Sequence, residues 1–215
     1  MNAFRRFSPL DELLGGACRA LATLTDATPA ARPIPSGDAA SGAELAEDER
    51  RMSGALMRVN HVGEICAQAL YEAQAATTGD PALRAHFRSA AREEADHLAW
   101  TRTRLDELGA SPSLLNPLWF AGALAMGLVA GRAGDRWSLG FMAETERQVE
   151  SHLQLHLERL PLADVRSREI VEAMQRDEVV HARSAQALGG AELPMPVRSV
   201  MRAAARVMTT VAHRV

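Results

Sequence analysis

The sequence REEADH occupies residues 92–97, and RDEVVH occupies residues 176–181. Each stretch contains a Glu-x-x-His pair, Glu94 with His97 and Glu178 with His181. Residues three positions apart lie on the same face of an α-helix, so one helical turn can present a carboxylate oxygen and an imidazole nitrogen to a common ion. The repeated pair indicates a helical protein with a metal site built from two helices.

Both pairs lie on stripes of apolar residues with helical spacing, which predicts that they point into a core. Buried carboxylates without counter-cations are costly, because desolvation penalises each charge and like charges repel. Two bound cations would remove that cost. The stripes are Phe87, Ala90, Glu94 and His97 in the first segment, and Val171, Met174, Glu178, His181, Ala185 and Leu188 in the second.

Two further helices must each add one inward glutamate, because ferritin-like di-metal bundles combine two Glu-x-x-His helices with two helices that carry a single glutamate. In RVNHVGEICAQALYEAQ, residues 58–74, the candidate is Glu64, which follows Gly63 and is flanked by Val62 and Ile65. Glu72 is the competing candidate on this helix.

On the other single-glutamate helix the choice lies among Glu144, Glu146 and Glu150. Glu146 falls on an apolar stripe at three-four spacing, whereas Glu144 shares its face with polar residues. The sequence therefore favours Glu146 and leaves Glu150 open. The apolar stripe contains Met142, Glu146, Val149, Leu153 and Leu160, and the polar face contains Arg147, Gln148 and Ser151.

Four long segments with helical periodicity cover residues 43–78, 81–108, 137–160 and 162–188, and strand-like alternation is absent. We therefore predict an all-α fold, a ferritin-like four-helix bundle at residues 43–190. Residues 1–42 are predicted to form an N-terminal helix at about 8–25 and a linker rich in proline and alanine. Residues 191–215 are predicted to form a basic amphipathic C-terminal helix.

An apolar segment at residues 117–130 carries no charge, but it is short and interrupted by Pro117, Gly122 and Gly127. A helix that spans a membrane needs about 20 apolar residues. We predict an interfacial segment that dips into one bilayer face, with Trp119 and Phe120 near the interface. A buried core helix is the alternative.

The C-terminal segment has an apolar stripe beside a stripe of arginines, which is typical of a helix that lies on anionic lipid. Packing on the bundle with a solvated arginine face is the alternative. The apolar stripe contains Val197, Val200, Met201, Ala204, Val207, Met208, Val211 and Val215, and the basic stripe contains Arg198, Arg202 and Arg206.

The composition argues against several other classes. A net charge of only −3 gives no basic field for nucleic acid. Cys18 and Cys66 lack the spacing of a metal or redox motif, and Asp11 and Glu12 interrupt the apolar stretch that an export signal needs. No glycine-rich dinucleotide-binding loop follows a strand. If the metal site carries out redox chemistry, its electrons must therefore come from a partner, a diffusible donor or the substrate.

The remaining polar candidates receive no metal-binding role from the sequence. His61 lies one turn before Glu64 and is interpreted as a neighbouring or surface histidine. His86, His156 and His213 are interpreted as structural or solvated. Tyr71 lies two turns after Glu64, where it gates substrate, forms a hydrogen bond near the metals or packs in the core.

Four glutamates and two histidines suit iron or manganese, because the set lacks the thiolates of structural zinc and the all-oxygen shell of calcium. Iron is favoured if the protein handles dioxygen.

Taken together, these motifs resemble the demethoxyubiquinone hydroxylase family of ubiquinone biosynthesis, in its bacterial form. The resemblance covers about residues 52–189, through RVNHVGEICAQALYEAQ, EEADHLAWTRTRLDELG, ETERQVESHLQLHLERLP and RDEVVHARSAQALG. It leaves most of residues 1–42 without an implied function.

The resemblance implies a di-iron monooxygenase that uses dioxygen to hydroxylate the ring of a demethoxyubiquinol, at the cytoplasmic face of the bacterial cell membrane. It implies a role beside the active site for His152, and other quinone-biosynthesis proteins are candidate partners. A peroxide reductase or iron oxidase of the ferritin and rubrerythrin kind is the alternative. The implied ligands of the two irons are Glu64, Glu94, His97, Glu146, Glu178 and His181.

Overall fold

The computed structural model describes residues 9–35 and 44–215, and every regular element in those ranges is an α-helix. The all-α prediction is therefore confirmed. The helices are α1 Pro9–Leu24, α2 Glu47–Thr77, α3 Pro81–Glu107, α4 Asn116–Arg132, α5 Asp135–Arg159, α6 Val165–Ala187 and α7 Met195–Ala212.

The bundle consists of two helical hairpins, α2 with α3 and α5 with α6, which pack against each other. Local capping explains where the second helix of each hairpin begins. The Asp80 side chain accepts a hydrogen bond from the backbone N–H of Ala82 at the start of α3. The Asp164 carboxylate accepts one from the N–H of Ser167, so α6 begins at Val165 rather than at the predicted residue 162.

Two apolar layers form the core of the bundle and leave a polar level between them. One layer contains Met57, Trp100, Leu153 and Met174. The other contains Tyr71, Phe87, Met142 and Ala185. Along each of the four bundle helices, the predicted metal ligands lie in sequence between a residue of the first layer and a residue of the second.

Helix α4 corresponds to the apolar segment and is continuous, so the predicted interruptions at Gly122 and Gly127 are wrong, and Pro117 lies in its first turn. It packs along α2, and Gly127 lies against this helix. A Cβ atom at Gly127 would lie 2.7 Å from the carbonyl oxygen of Leu70 and 2.8 Å from Cβ of Ala73. The glycine thus permits close packing of two helices rather than ending one.

The opposite face of α4 is exposed, and it remains apolar. The side chains of Leu118, Met126 and Val129 are accessible there, whereas Phe120 and Ala123 are buried. No helix among the described residues combines the length and the apolar character that crossing a membrane would require.

The terminal helices lie on the outside of the bundle. Helix α1 packs on α2, and α7 packs on α2 and α5. Met208 and Ala212 of α7 join Val59, Val62 and Trp119 in one apolar cluster, so α7 and the start of α4 are neighbours. The predicted boundary between residues 42 and 43 lies outside the described residues.

Candidate metal centre

The six predicted ligands converge at the polar level of the bundle, and none of them is more than 4% exposed. They form two groups of four, within each of which the potential ligand atoms lie within 4.8 Å of one another. Both groups contain Glu94 and Glu178. The first group adds Glu64 and His97, and the second adds Glu146 and His181.

The two halves of the cluster have matching geometry. The Nδ1 atom of His97 lies 3.0 Å from a carboxylate oxygen of Glu94 and 3.5 Å from one of Glu178. The Nδ1 atom of His181 lies 3.1 Å from Glu94 and 3.3 Å from Glu178. Each shared glutamate therefore faces both histidines, as a carboxylate that bridges two ions would.

The cluster is electrostatically frustrated without cations. Burial raises the pKa of Glu64 and of Glu146 well above the ordinary carboxyl value, and the charge of Glu178 raises both further. Burial alone would lower the pKa of His181, but hydrogen bonds with Glu178 and Glu94 raise it to about 12. Folding thus favours the protonated forms of these groups, and bound cations would compensate the same charges in place of the protons.

The donor set fits metal ions. Each half offers three carboxylates and one imidazole nitrogen, with no thiolate. The Oε1 atom of Glu146 is buried without a hydrogen-bond partner. Such an atom is costly in a protein interior unless a ligand or a water satisfies it. The buried cluster can therefore hold a metal ion.

The outer nitrogen of each histidine meets an acid from the opposite hairpin. His97 Nε2 lies 2.9 Å from Asp177, and His181 Nε2 lies 3.0 Å from Glu93. Such partners orient metal-binding histidines. The sequence analysis missed both acids, although each directly precedes the glutamate of a Glu-x-x-His pair, and this repetition was the available signal.

The competing glutamates lie outside the cluster. Glu72 forms an ion pair with Arg19 at 2.8 Å, on the side of α2 that faces α1. Glu144 is buried, but it pairs with Arg198 of α7 at 3.1 Å and accepts a hydrogen bond from Gln148. Glu150 is half-buried and belongs to neither group of four.

The other histidines also lie outside the two groups. His61 is fully buried beside the cluster as predicted; its Nε2 lies 3.0 Å from Asp26, whereas its Nδ1 has no hydrogen-bond partner. His152 packs against His156 with ring centroids 4.0 Å apart, beside α7. His156 is buried rather than solvated, and burial with nearby positive charges lowers its pKa to about 2.

Tyr71 is fully buried in the apolar layer that contains Phe87, and its hydroxyl group has no hydrogen-bond partner. Of its three predicted roles, the structure shows the packing role.

This bundle of paired helices, with four glutamates and two histidines directed inward, defines a ferritin-like helical protein whose buried carboxylate cluster could hold metal. Residues 51–212 match the family described as ubiquinone biosynthesis protein COQ7. The chain belongs to that family, which confirms the resemblance.

Three curated relatives are similar over nearly their whole length, and each is named 3-demethoxyubiquinol 3-hydroxylase. The protein of Variovorax paradoxus is 62% identical over 97% of this chain and 99% of its own. That of Polaromonas sp. strain JS666 is 62% identical over 95% and 97%. That of Burkholderia pseudomallei strain 1106a is 60% identical over 94% and 98%.

Proposed function

We propose that this protein is a di-iron monooxygenase that hydroxylates the ring of a demethoxyubiquinol with dioxygen. The observation that carries the proposal is the symmetry of the buried cluster, in which two groups of four residues share Glu94 and Glu178. A single ion would need only one of these groups. The names of the relatives supply the reaction and the substrate class.

In this proposal Glu64 and His97 would hold one ion, Glu146 and His181 would hold the other, and Glu94 and Glu178, which belong to both groups, would serve both. Iron bound there would supply the reductive activation of dioxygen. With two electrons from an external reductant and two protons, one oxygen atom would replace the ring hydrogen as a hydroxyl group and the other would leave as water. A set of oxygen and nitrogen donors without thiolate is compatible with iron in this role.

In this proposal, the residues of the chain position the histidines and exclude water from the centre. The apolar layers on both sides separate the centre from bulk solvent, which strengthens the electrostatic interactions within it. Asp177 and Glu93 hold the Nε2 side of the two histidines, so that Nδ1 points to the shared carboxylates. The centre is thus organised before substrate arrives.

We also propose that the protein works at the cytoplasmic face of the bacterial cell membrane, bound peripherally. Support comes from exposed apolar side chains on the neighbouring helices α4 and α7, namely Leu118, Met126 and Val129 on α4 and Val200 and Val207 on α7, all more than a third exposed. Exposed apolar patches of this kind commonly bind membranes or partners. A polyprenylated quinol could then reach the bundle without leaving the lipid.

The division into residues 1–42, 43–190 and 191–215 remains part of the proposal. The bundle would carry the chemistry, while the C-terminal helix would contribute to the membrane surface. Other proteins of quinone biosynthesis are candidate partners at the same surface.

The reaction is tested by mass spectrometry after ferrous-loaded protein and a reductant meet a demethoxyubiquinol analogue under heavy-isotope dioxygen. One heavy oxygen atom in the ring is the expected result. The Glu178→Ala variant should give no product while remaining helical, whereas Glu172→Ala, an exposed glutamate of the same helix, should match the unchanged protein. Oxygen consumption without hydroxylated product would instead favour peroxide reduction or iron oxidation.

The membrane proposal is tested by flotation with liposomes that contain anionic lipid. Replacing Val129 and Val207 by Glu should abolish flotation, because two charges would have to enter the apolar region of the bilayer. The control is Leu162→Glu, which changes an equally exposed apolar residue in the loop between α5 and α6. Equal flotation of all variants would contradict the assignment of this surface.

A further inference from the structure

Residues 26–35, which follow α1 and which we call the strap, lie across the outer side of the proposed centre. Two backbone N–H groups of the strap, those of Ala31 and Arg32, donate to Oδ1 of Asp96 at 2.6 and 3.3 Å. The indole N–H of Trp100 donates to the carbonyl of Arg32 at 3.3 Å. Ile34 packs against the apolar layer that contains Trp100. The strap is therefore attached to α3 by several independent contacts.

The side chain of Arg32 joins both hairpins at this point. Its Nε donates to Oδ2 of Asp96 at 2.7 Å, and its Nη1 donates to Oδ2 of Asp177 at 2.8 Å. Asp96 belongs to α3 and Asp177 to α6. The guanidinium carbon also lies 4.8 Å from the centre of the Trp100 ring. A planar fork with several donors can satisfy two carboxylates at once, which a lysine cannot do in the same geometry.

The same Asp177 oxygen that receives Arg32 also faces Nε2 of His97, at 2.9 Å. A continuous chain of contacts thus runs from Arg32 through Asp177 to His97 and the proposed ion. The corresponding acid in the other half is Glu93, whose side chain is 46% exposed. Among the described residues, the ion pairs of Glu93 include His181 but no arginine. Among the described residues, the two halves of the centre therefore differ at the acids that contact the Nε2 atoms of the histidines.

We propose that Arg32 is a positioning residue for the metal position that contains His97, and that the strap makes the two metal positions unequal. Arg32 holds Asp177 in the orientation that directs His97 Nδ1 into the cluster. The strap lies outside residues 51–212, the region matched by the family. This inference rests on the proposed function, since it assigns the residue to a centre that binds two ions.

The test is an anaerobic ferrous titration of the full-length protein, with a chromogenic chelator as competitor, that resolves the affinities of the two ions. Loss of an outer partner of a metal-binding histidine typically weakens metal binding about 10- to 100-fold. Arg32 reaches His97 chiefly through Asp177, and its own Nη2 lies 3.4 Å from His97 Nε2. We therefore expect Arg32→Gln to weaken the binding of one ion about tenfold and to leave the binding of the other unchanged. Arg19→Gln is the matched control, because Arg19 pairs with Glu72 away from the cluster.

Double variants identify which position has changed. Arg32→Gln combined with Asp177→Asn should weaken binding by less than the product of the two single effects, because both changes break one chain of contacts. Arg32→Gln combined with Glu93→Gln should weaken the overall binding of the two ions by the full product of the two single effects, because Glu93 contacts the other histidine. The readout is metal affinity, so it does not depend on turnover.

Three results would overturn the inference: no change in either affinity, an equal loss at both positions, or coupling to Glu93 as strong as that to Asp177. An equal loss would mean that Arg32 supports only the fold. If the unchanged protein failed to bind two ferrous ions, the proposed function would fall, and this inference with it. Two ions bound with unaltered affinities in Arg32→Gln would overturn the inference alone.

Discussion

The close contact between α4 and α2 predicts opposite effects for two glycines of the same helix. Gly127 faces α2, and an added Cβ would meet the backbone of Leu70 at 2.7 Å, whereas an added Cβ at Gly122 meets nothing within 4 Å. Replacing either glycine by alanine should stabilise the helix itself by about 1 kcal/mol. Only Gly127→Ala should also force the two helices apart.

The expected magnitude follows from the kind of atom that is met. Overpacking by one methyl group costs about 1–3 kcal/mol, and a backbone atom cannot move aside as a flexible side chain can. Because the gain in helix propensity is common to both variants, the difference between them isolates the packing cost. Gly122→Ala should therefore be more stable than Gly127→Ala by about 1–3 kcal/mol.

The assay is reversible urea unfolding of the metal-free protein, monitored by helical circular dichroism. Using metal-free protein separates packing from any contribution of bound ions. Equal free energies of unfolding for the two variants would refute the reasoning, because they would show that α4 does not rest on α2 through Gly127. A lower stability for Gly122→Ala would refute it as well.

Three further predictions concern the bundle and its centre. First, the metal-free protein should lose stability as pH rises above the ordinary carboxyl pKa of 4.5 and toward about 12, the folded value of His181. The reason is that Glu64, Glu146, His97 and His181 all have pKa values raised by folding, and each contribution is lost as pH rises through the folded value. Ferrous-loaded protein should resist this loss, since metal replaces the protons; parallel curves from denaturation at several pH values would contradict both points. Second, Arg104→Met should cost about 3–5 kcal/mol in urea unfolding because it leaves the buried Asp164 without its cation, while Arg102→Met, which breaks only partly exposed pairs, should cost about 1 kcal/mol or less. Third, Tyr71→Phe should leave thermal stability unchanged or raise it, because the buried hydroxyl has no partner to lose. Reduced turnover in a stable Tyr71→Phe variant would show that the hydroxyl acts on substrate instead.

The six clustered residues were predictable because each lies on an apolar stripe of a regular helix. The choice of Glu146 over Glu144 shows what the stripe adds, since both side chains are buried. Burial alone would not separate them. The direction around the helix does, because Glu144 turns toward the arginines of α7 and Glu146 toward the other carboxylates. The apolar stripe predicted for α6 extended too far, since its last member, Leu188, lies just beyond the end of the helix and is exposed.

Contacts between distant segments were not predictable in the same way. Arg32 is separated from Asp177 by 145 positions, and no periodic pattern links them. The linker looked structureless because its proline and alanine residues show no stripe, yet its backbone groups find partners on α3. Gly127 carried a usable signal, but a glycine within an apolar run indicates either an interruption or a close contact. Only the packing of α4 on α2 decides between them.

The placement of the centre between the hairpins has a consequence for the lifetime of the protein. Each hairpin supplies one shared glutamate, so bound ions would add a second link between two hairpins that are otherwise joined mainly by their apolar layers. A chain that lacked its ions would open more often along this seam and expose its apolar layers to proteases. The abundance of the protein would then follow the supply of metal in the cell directly, with no dedicated sensor or transcriptional control.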